Sequence, residues 1–164
     1  MIKLKTFGSF TVGNGLTSVQ EGAWRSEKLE KLFVYLAMNR NRGVCIEDIS
    51  EAIWQVEEET DNPVGALKNL AYRLRKALRD ASFGEECIVS VRGGLYKWND
   101  DVEVTIDVEE FDRYINEAEM AFCRSKETAI ESYEKAIALY HGDFLPLRTD
   151  THWFMTLNAF YHSR

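Results

Sequence analysis

The sequence predicts an α+β fold. A small N-terminal antiparallel sheet, three helices and a β-hairpin come first, and an all-α segment follows. Three observations predict it. Apolar residues alternate loosely at the N-terminus and then recur at three/four spacing from Ser26 onward. A Gly93-Gly94 pair separates two β-rich runs. Charge is divided unevenly: residues 1–100 hold 14 Lys/Arg and 14 Asp/Glu, residues 101–164 hold 6 and 13, so the whole net charge of −7 lies in the second part. Such asymmetry points to two units with different tasks, residues 1–99 and residues 100–164.

Composition narrows the function classes. A hydrophobic fraction of 45% with 12% aromatics supports a real core and argues against general disorder. No apolar run approaches membrane-spanning length, and the start, MIKLKTFGSF, lacks a signal-peptide pattern, so a cytoplasmic location is expected. Cys45, Cys87 and Cys123 are far apart and odd in number, which favours free thiols over zinc ligation or a disulfide framework. No metal and no cofactor is expected. Neither is catalysis, because the chain has no glycine-rich phosphate loop, GxSxG, HExxH or CxxC motif. The pair Glu109-Glu110 falls in a helical pattern and reads as a solvated face.

Taken in order, Ile2, Leu4, Phe7, Phe10 and Val12, with a turn at Gly13-Asn14-Gly15, indicate two or three short strands before Trp24. Ser26 opens a first helix with Leu29, Leu32, Phe33, Leu36 and Ala37 as its buried stripe. Ile46, Ile49, Ala52, Ile53 and Trp54 mark a second, shorter one. An acidic connector, Val56 to Asp61, leads to a third helix that starts at Asn62-Pro63, an N-cap followed by a first-turn proline. Helix, short helix, connector and basic helix is a helix-turn-helix order, with a connector longer than the compact motif allows.

The third helix, Asn62 to Asp80, carries the candidate site. Leu67, Leu70, Ala71, Leu74, Ala77 and Leu78 form its apolar back. Gly65, Asn69, Tyr72 and Lys76 face the other way, flanked by Lys68 and Arg79 on one side and Arg73 on the other. A cationic front bearing an amide and a phenol suits the major groove of DNA, where Arg and Lys neutralise phosphates and Asn pairs with base edges. The same pattern also fits a solvated amphipathic surface helix. Arg75 lies nearest the buried side, so a core-edge or ion-pair role stands beside a phosphate contact. The hairpin around Gly93-Gly94 sits where a wing belongs, with Arg92 at its tip. Asn99–Val104 reads as a linker. Helical patterns follow from Val108 towards Phe122, from Thr128 to Tyr140 with Ile130, Tyr133, Ala136, Ile137 and Tyr140 inward, and from Trp153 to Tyr161. Small Ala129, Ala136 and Ala138 suit close helix approach, as in tetratricopeptide hairpins. Such an array buries its core between repeats, so a longer protein or a dimer is expected to cover its open end.

Three segments, LEKLFVYLAMNRNRGVCIEDISEAIW, NLAYRLRKAL and VSVRGGLYKW, resemble the OmpR/PhoB-type winged helix-turn-helix over residues 1–99. Arg92-Gly93 and Tyr96 are similar to its wing signature, although Leu95 stands where that class has glycine. Asp107, Phe111, the AIESYEKAIALYHGDFLP run and Trp153 resemble the start of a bacterial transcriptional activation domain over residues 100–164. The two in this order are similar to the SARP family of transcriptional activators. The resemblance implies that the helix from Asn62 enters the major groove at promoter direct repeats, as a monomer or a homodimer on DNA. It also implies that the loop at Glu57, Glu58 and Glu59 can contact RNA polymerase; a solvated acidic loop is the alternative. On this reading Lys68, Asn69, Tyr72, Arg73, Lys76 and Arg79 serve the recognition helix, and Arg92 and Arg25 the wing and backbone contacts. The competing reading is a protein-interaction or ligand-sensing module using the helical segment and its aromatic residues Phe144, Trp153 and Phe154, with the winged helix as a docking unit.

Overall fold

The computed structural model of the chain describes residues 1–55, 61–83, 86–91 and 93–164; the expectations for Glu57, Glu58, Glu59 and Arg92 fall outside them. Strands β1 (Ile2–Lys5), β2 (Thr11–Gly13) and β3 (Ser18–Gln20) precede helices α1 (Glu27–Met38), α2 (Ile46–Ile53) and α3 (Pro63–Asp80). A hairpin of β4 (Ile88–Val91) and β5 (Leu95–Trp98) follows, then strand β6 (Val104–Ile106). Helices α4 (Asp107–Ala121), α5 (Lys126–Leu139) and α6 (His152–Ser163) end the chain, with a 3-10 turn at Pro146–Arg148 between the last two.

Alternation makes the first sheet. Ile2 and Leu4 are buried while Lys3 and Lys5 are exposed, the two-residue period of a strand with one wet face. Strands β3, β2 and β1 pair antiparallel in that order, with Leu4 opposite Val12 and Val12 opposite Val19. The fourth strand, β6, runs parallel to β1 and places Ile106 beside Leu4. It begins where the expected linker ends. That linker is itself tied down: the Trp98 indole N–H donates to the Val102 carbonyl at 2.7 Å, and the Val102 N–H to Asn99 at 3.0 Å.

Directly after β6, Asp107 opens α4 and ties the C-terminal ends of the neighbouring strands β1 and β6 together. Its buried carboxylate accepts from the Thr6 N–H at 2.8 Å, the Thr6 hydroxyl at 2.7 Å and the Phe7 N–H at 2.9 Å. The positive end of the α4 dipole favours the charge there. The chain then needs glycine at residue 8. Gly8 has φ +81, and a Cβ there would stand 2.7 Å from the His141 carbonyl oxygen. This close approach lets the Gly8 N–H donate to the Asp143 carbonyl at 2.9 Å.

Helix α1 is buried on more than the expected stripe. Every residue from Leu29 to Ala37 is inside, Glu30 and Lys31 included. Its second face is covered by the 3-10 turn and α6. Arg148 reaches Glu30, with Nε at 3.2 Å and Nη2 closer, and Glu21 and Glu27 lie at 3.4 and 3.7 Å from the same guanidinium. Lys31 pairs with Asp150, and Tyr35 meets Trp153 edge-on with ring centroids 4.9 Å apart. At the C-terminal end of α1, Arg40 grips Glu109 of α4 with two bonds of 2.5 and 2.7 Å. The core is accordingly one cluster running from Ile2 to Tyr161.

Two expectations for the helical segment are corrected. Helix α5 meets α4 through Ala129, Ser132 and Ala136, whereas Ile130 and Ile137 are 57% and 69% exposed and Tyr140 is also exposed. Small side chains allow the closest backbone approach, so the small-residue stripe wins over the larger apolar one. The aromatic residues named for partner binding are also mostly interior: Phe144 and Phe154 are fully buried, and Trp153 lies half-buried against Tyr35.

Candidate nucleic-acid interface

Helix α3 begins where its sequence says. The Asn62 side chain accepts from the Gly65 N–H at 2.9 Å, and Pro63 occupies the first turn. Gly65, expected on the front face, serves this cap instead: a Cβ there would stand 2.6 Å from the Asn62 amide nitrogen. Leu67, Leu70, Ala71, Leu74 and Leu78 are buried against α1 and α2. The far end is capped by the β2–β3 turn. The Thr17 hydroxyl donates to the Ala81 carbonyl at 2.9 Å and the Asn14 amide to the Ser82 carbonyl at 3.1 Å. The helix is therefore fixed at both ends and along its back.

Lys68, Asn69, Tyr72, Arg73, Lys76 and Arg79 are all exposed, Tyr72 by 63%. Asn69, Tyr72, Arg73 and Lys76 stand three, four and seven residues apart, so they share one face spanning about 10 Å of helix. That length matches a major groove about 12 Å wide. Among the described residues, Lys68, Arg73 and Lys76 have no ion-pair partner, which leaves their charges available to an external anion.

Beside this face stands the β4–β5 hairpin. Val91 pairs with Leu95, and Gly93 and Gly94 take φ of +86 and +78 in the turn between them. It is anchored through β5, where Tyr96 and Val44 exchange backbone hydrogen bonds of 2.7 and 2.9 Å. Arg75 is half-buried and points to the other strand. Its Nε donates to the Ile88 carbonyl and its Nη2 to the Ser90 hydroxyl, both at 3.1 Å. Of the two uses left open for this arginine, the core-edge one is realised. Arg25 is exposed on the turn before α1 with φ +51.

The remaining chemistry is quiet. Burial pushes the Cys87 thiol up to about 11, so it stays protonated near neutrality. Cys45 is half-buried and Cys123 exposed, and none of the three cysteines is in a disulfide among the described residues. Among the described residues no cluster could hold a metal ion, and no helix is long and apolar enough to cross a membrane.

Residues 21–98 match the profile of a family described as "Transcriptional regulatory protein, C terminal". Among solved structures the chain is similar to Mycobacterium tuberculosis EmbR in complex with a low affinity phosphopeptide. The two share 18% identity and a TM-score of 0.79 over 99% of this chain and 42% of the EmbR chain. The present chain thus spans less than half of that protein's length. No curated protein matches it.

Proposed function

We propose that this protein is a sequence-specific DNA-binding activator of the SARP-like kind, with an OmpR/PhoB-type winged helix; the profile match of residues 21–98 and the fold shared with EmbR support the reading. The observation that carries the reading is the exposed cationic face of α3 next to a hairpin wing. At Lys68, Arg73 and Lys76 that face has no ion-pair partner among the described residues.

On this reading α3 lies in the major groove with Asn69, Tyr72 and Arg73 towards base edges. An Asn amide can pair bidentately with adenine, and an Arg guanidinium with guanine. Lys68, Lys76 and Arg79 neutralise phosphates on either side and set the register. Arg92 serves the wing and Arg25 a flanking phosphate. Residues 1–99 act as the DNA-binding part and residues 100–164 as the start of the activation part. Glu57, Glu58 and Glu59, which phosphate would repel, serve as the contact to RNA polymerase. Binding at direct repeats brings two copies side by side.

Fluorescence anisotropy with a random-sequence duplex at several salt concentrations tests the DNA-binding claim. The affinity should fall steeply with salt, with a log–log slope of about −0.9 for each phosphate neutralised. Absence of binding at the lowest salt would contradict it. The polymerase claim is tested separately: replacing Glu57, Glu58 and Glu59 by Ala should leave DNA affinity intact and lower promoter transcription by purified polymerase. Unchanged transcription would remove that role.

A further inference from the structure

We infer that Arg75 is a positioning residue that locks the wing to the recognition helix and does not itself contact DNA. The inference rests on the DNA-binding reading above. Three observations carry it. Arg75 is the one cation of α3 withdrawn from the exposed face; Lys68, Arg73, Lys76 and Arg79 are all outside. Its guanidinium is already committed, to the Ile88 carbonyl and the Ser90 hydroxyl at 3.1 Å each. A second anchor of the hairpin is on the opposite strand, where Tyr96 of β5 is bonded to Val44.

Together these explain how the wing keeps its orientation. A two-stranded hairpin is marginal on its own in water, so its direction is set by what it is tied to. Val44 fixes β5 to the segment before α2, and Arg75 fixes β4 to α3. The Ile88 carbonyl and the Ser90 hydroxyl lie two residues apart on β4, and one planar guanidinium meets both. A lysine, a flexible point charge, does not reproduce that fork. Helix and wing would engage DNA at two places, and holding them in one geometry removes an ordering cost from binding. Loss of Arg75 loosens β4 on α3, while its pairing with β5 and the Val44 bonds keep the hairpin formed.

The test compares the full chain with Arg75→Lys, Arg75→Ala, Ser90→Ala and Lys76→Ala. DNA affinity is measured by anisotropy on a random-sequence duplex at low salt, at a temperature where circular dichroism shows every variant folded. Amide exchange of Val89 and Val91 is followed without DNA. A positioning role predicts that Arg75→Lys and Arg75→Ala weaken binding alike, on the order of tenfold, and speed exchange in β4. Ser90→Ala removes one acceptor and no charge; it should shift both readouts the same way by a smaller step, and it decides the matter if the Arg75 variants do not fold. Wild-type affinity in Arg75→Lys alone would show that charge suffices, and wild-type affinity in both Arg75 variants that the contact is only structural. Either result overturns the inference. Lys76→Ala separates the two levels. If the unmodified chain shows no salt-dependent binding, the DNA-binding reading falls and this inference with it. If it binds, and only Lys76→Ala weakens it, the inference alone fails.

Discussion

Helices α1 and α3 are similar in sequence: each has an apolar stripe at three/four spacing and charged residues on its other side. They end in opposite environments. In α1 the charges Glu30 and Lys31 are buried and answered by Arg148 and Asp150 from the turn before α6. In α3 the cations Lys68, Arg73 and Lys76 stand in solvent without an ion-pair partner among the described residues. The difference teaches how to separate a structural charge from a functional one. A charge whose partner lies elsewhere in the chain stabilises the fold; a row of like charges that the fold leaves unanswered is available to a partner molecule. Arg75 shows the rule within a single helix, because it turns back to the protein's own acceptors on β4.

Breaking the α1 side should give the largest effect on stability. Arg148→Ala leaves Glu30 as a buried, unpaired carboxylate, and urea denaturation should report a loss of about 3–5 kcal/mol. DNA affinity per folded molecule should not change, since no residue of the α3 front is touched. A small loss, within about 0.5 kcal/mol, would show that Glu30 finds another partner or becomes solvated.

On the α3 side the effect should appear in sequence preference. Asn69→Ala should cost about 1–3 kcal/mol in discrimination between the preferred site and a single-base variant, with little change in thermal stability. Equal weakening on both sequences would assign Asn69 to phosphate or to no contact. Selected-site sequencing followed by titration measures the difference.

The smallest effect concerns acid. Burial opposes ionisation of Asp150, yet hydrogen bonds from Lys31 and Gln55 outweigh it and hold the carboxyl below its ordinary 3.8. A lowered folded-state pKa means a contribution present above about pH 3.8 and lost as the pH falls through the folded value. Asp150 is one-third exposed, so the contribution should be no more than about 1 kcal/mol. Asp150→Asn should flatten that part of the acid-denaturation curve; an unchanged curve would show that the Lys31 pair does not contribute.

The contrast also marks what can be read from the chain. Helix α3 is legible because its cap, first-turn proline and leucine spacing are local signals, and its front face follows from geometry. The hairpin is legible from Gly93-Gly94. The second buried face of α1 is not, because Glu30 and Lys31 look like solvent residues until Arg148 and Asp150 arrive from more than a hundred residues away. Strand β6 is three residues long in an acidic stretch, too short to show a period, and only its pairing with β1 makes it a strand. Asp107 likewise shows nothing in sequence of the bonds it accepts from Thr6 and Phe7. For α5 the larger apolar stripe misleads, since close approach to α4 selects Ala129, Ser132 and Ala136. Within the candidate site, Arg75 is the ambiguous residue, because its partners on β4 lie 13 and 15 residues further on.

The central claim, that the unanswered cations of α3 are there for DNA, is tested most directly by replacing Lys68, Arg73 and Lys76 together with Ala and measuring duplex binding against salt. The account predicts an unchanged melting temperature and affinity falling on every sequence. The log–log salt slope should shrink by about 0.9 for each phosphate that is no longer neutralised. Binding and slope equal to those of the unmodified chain would contradict it.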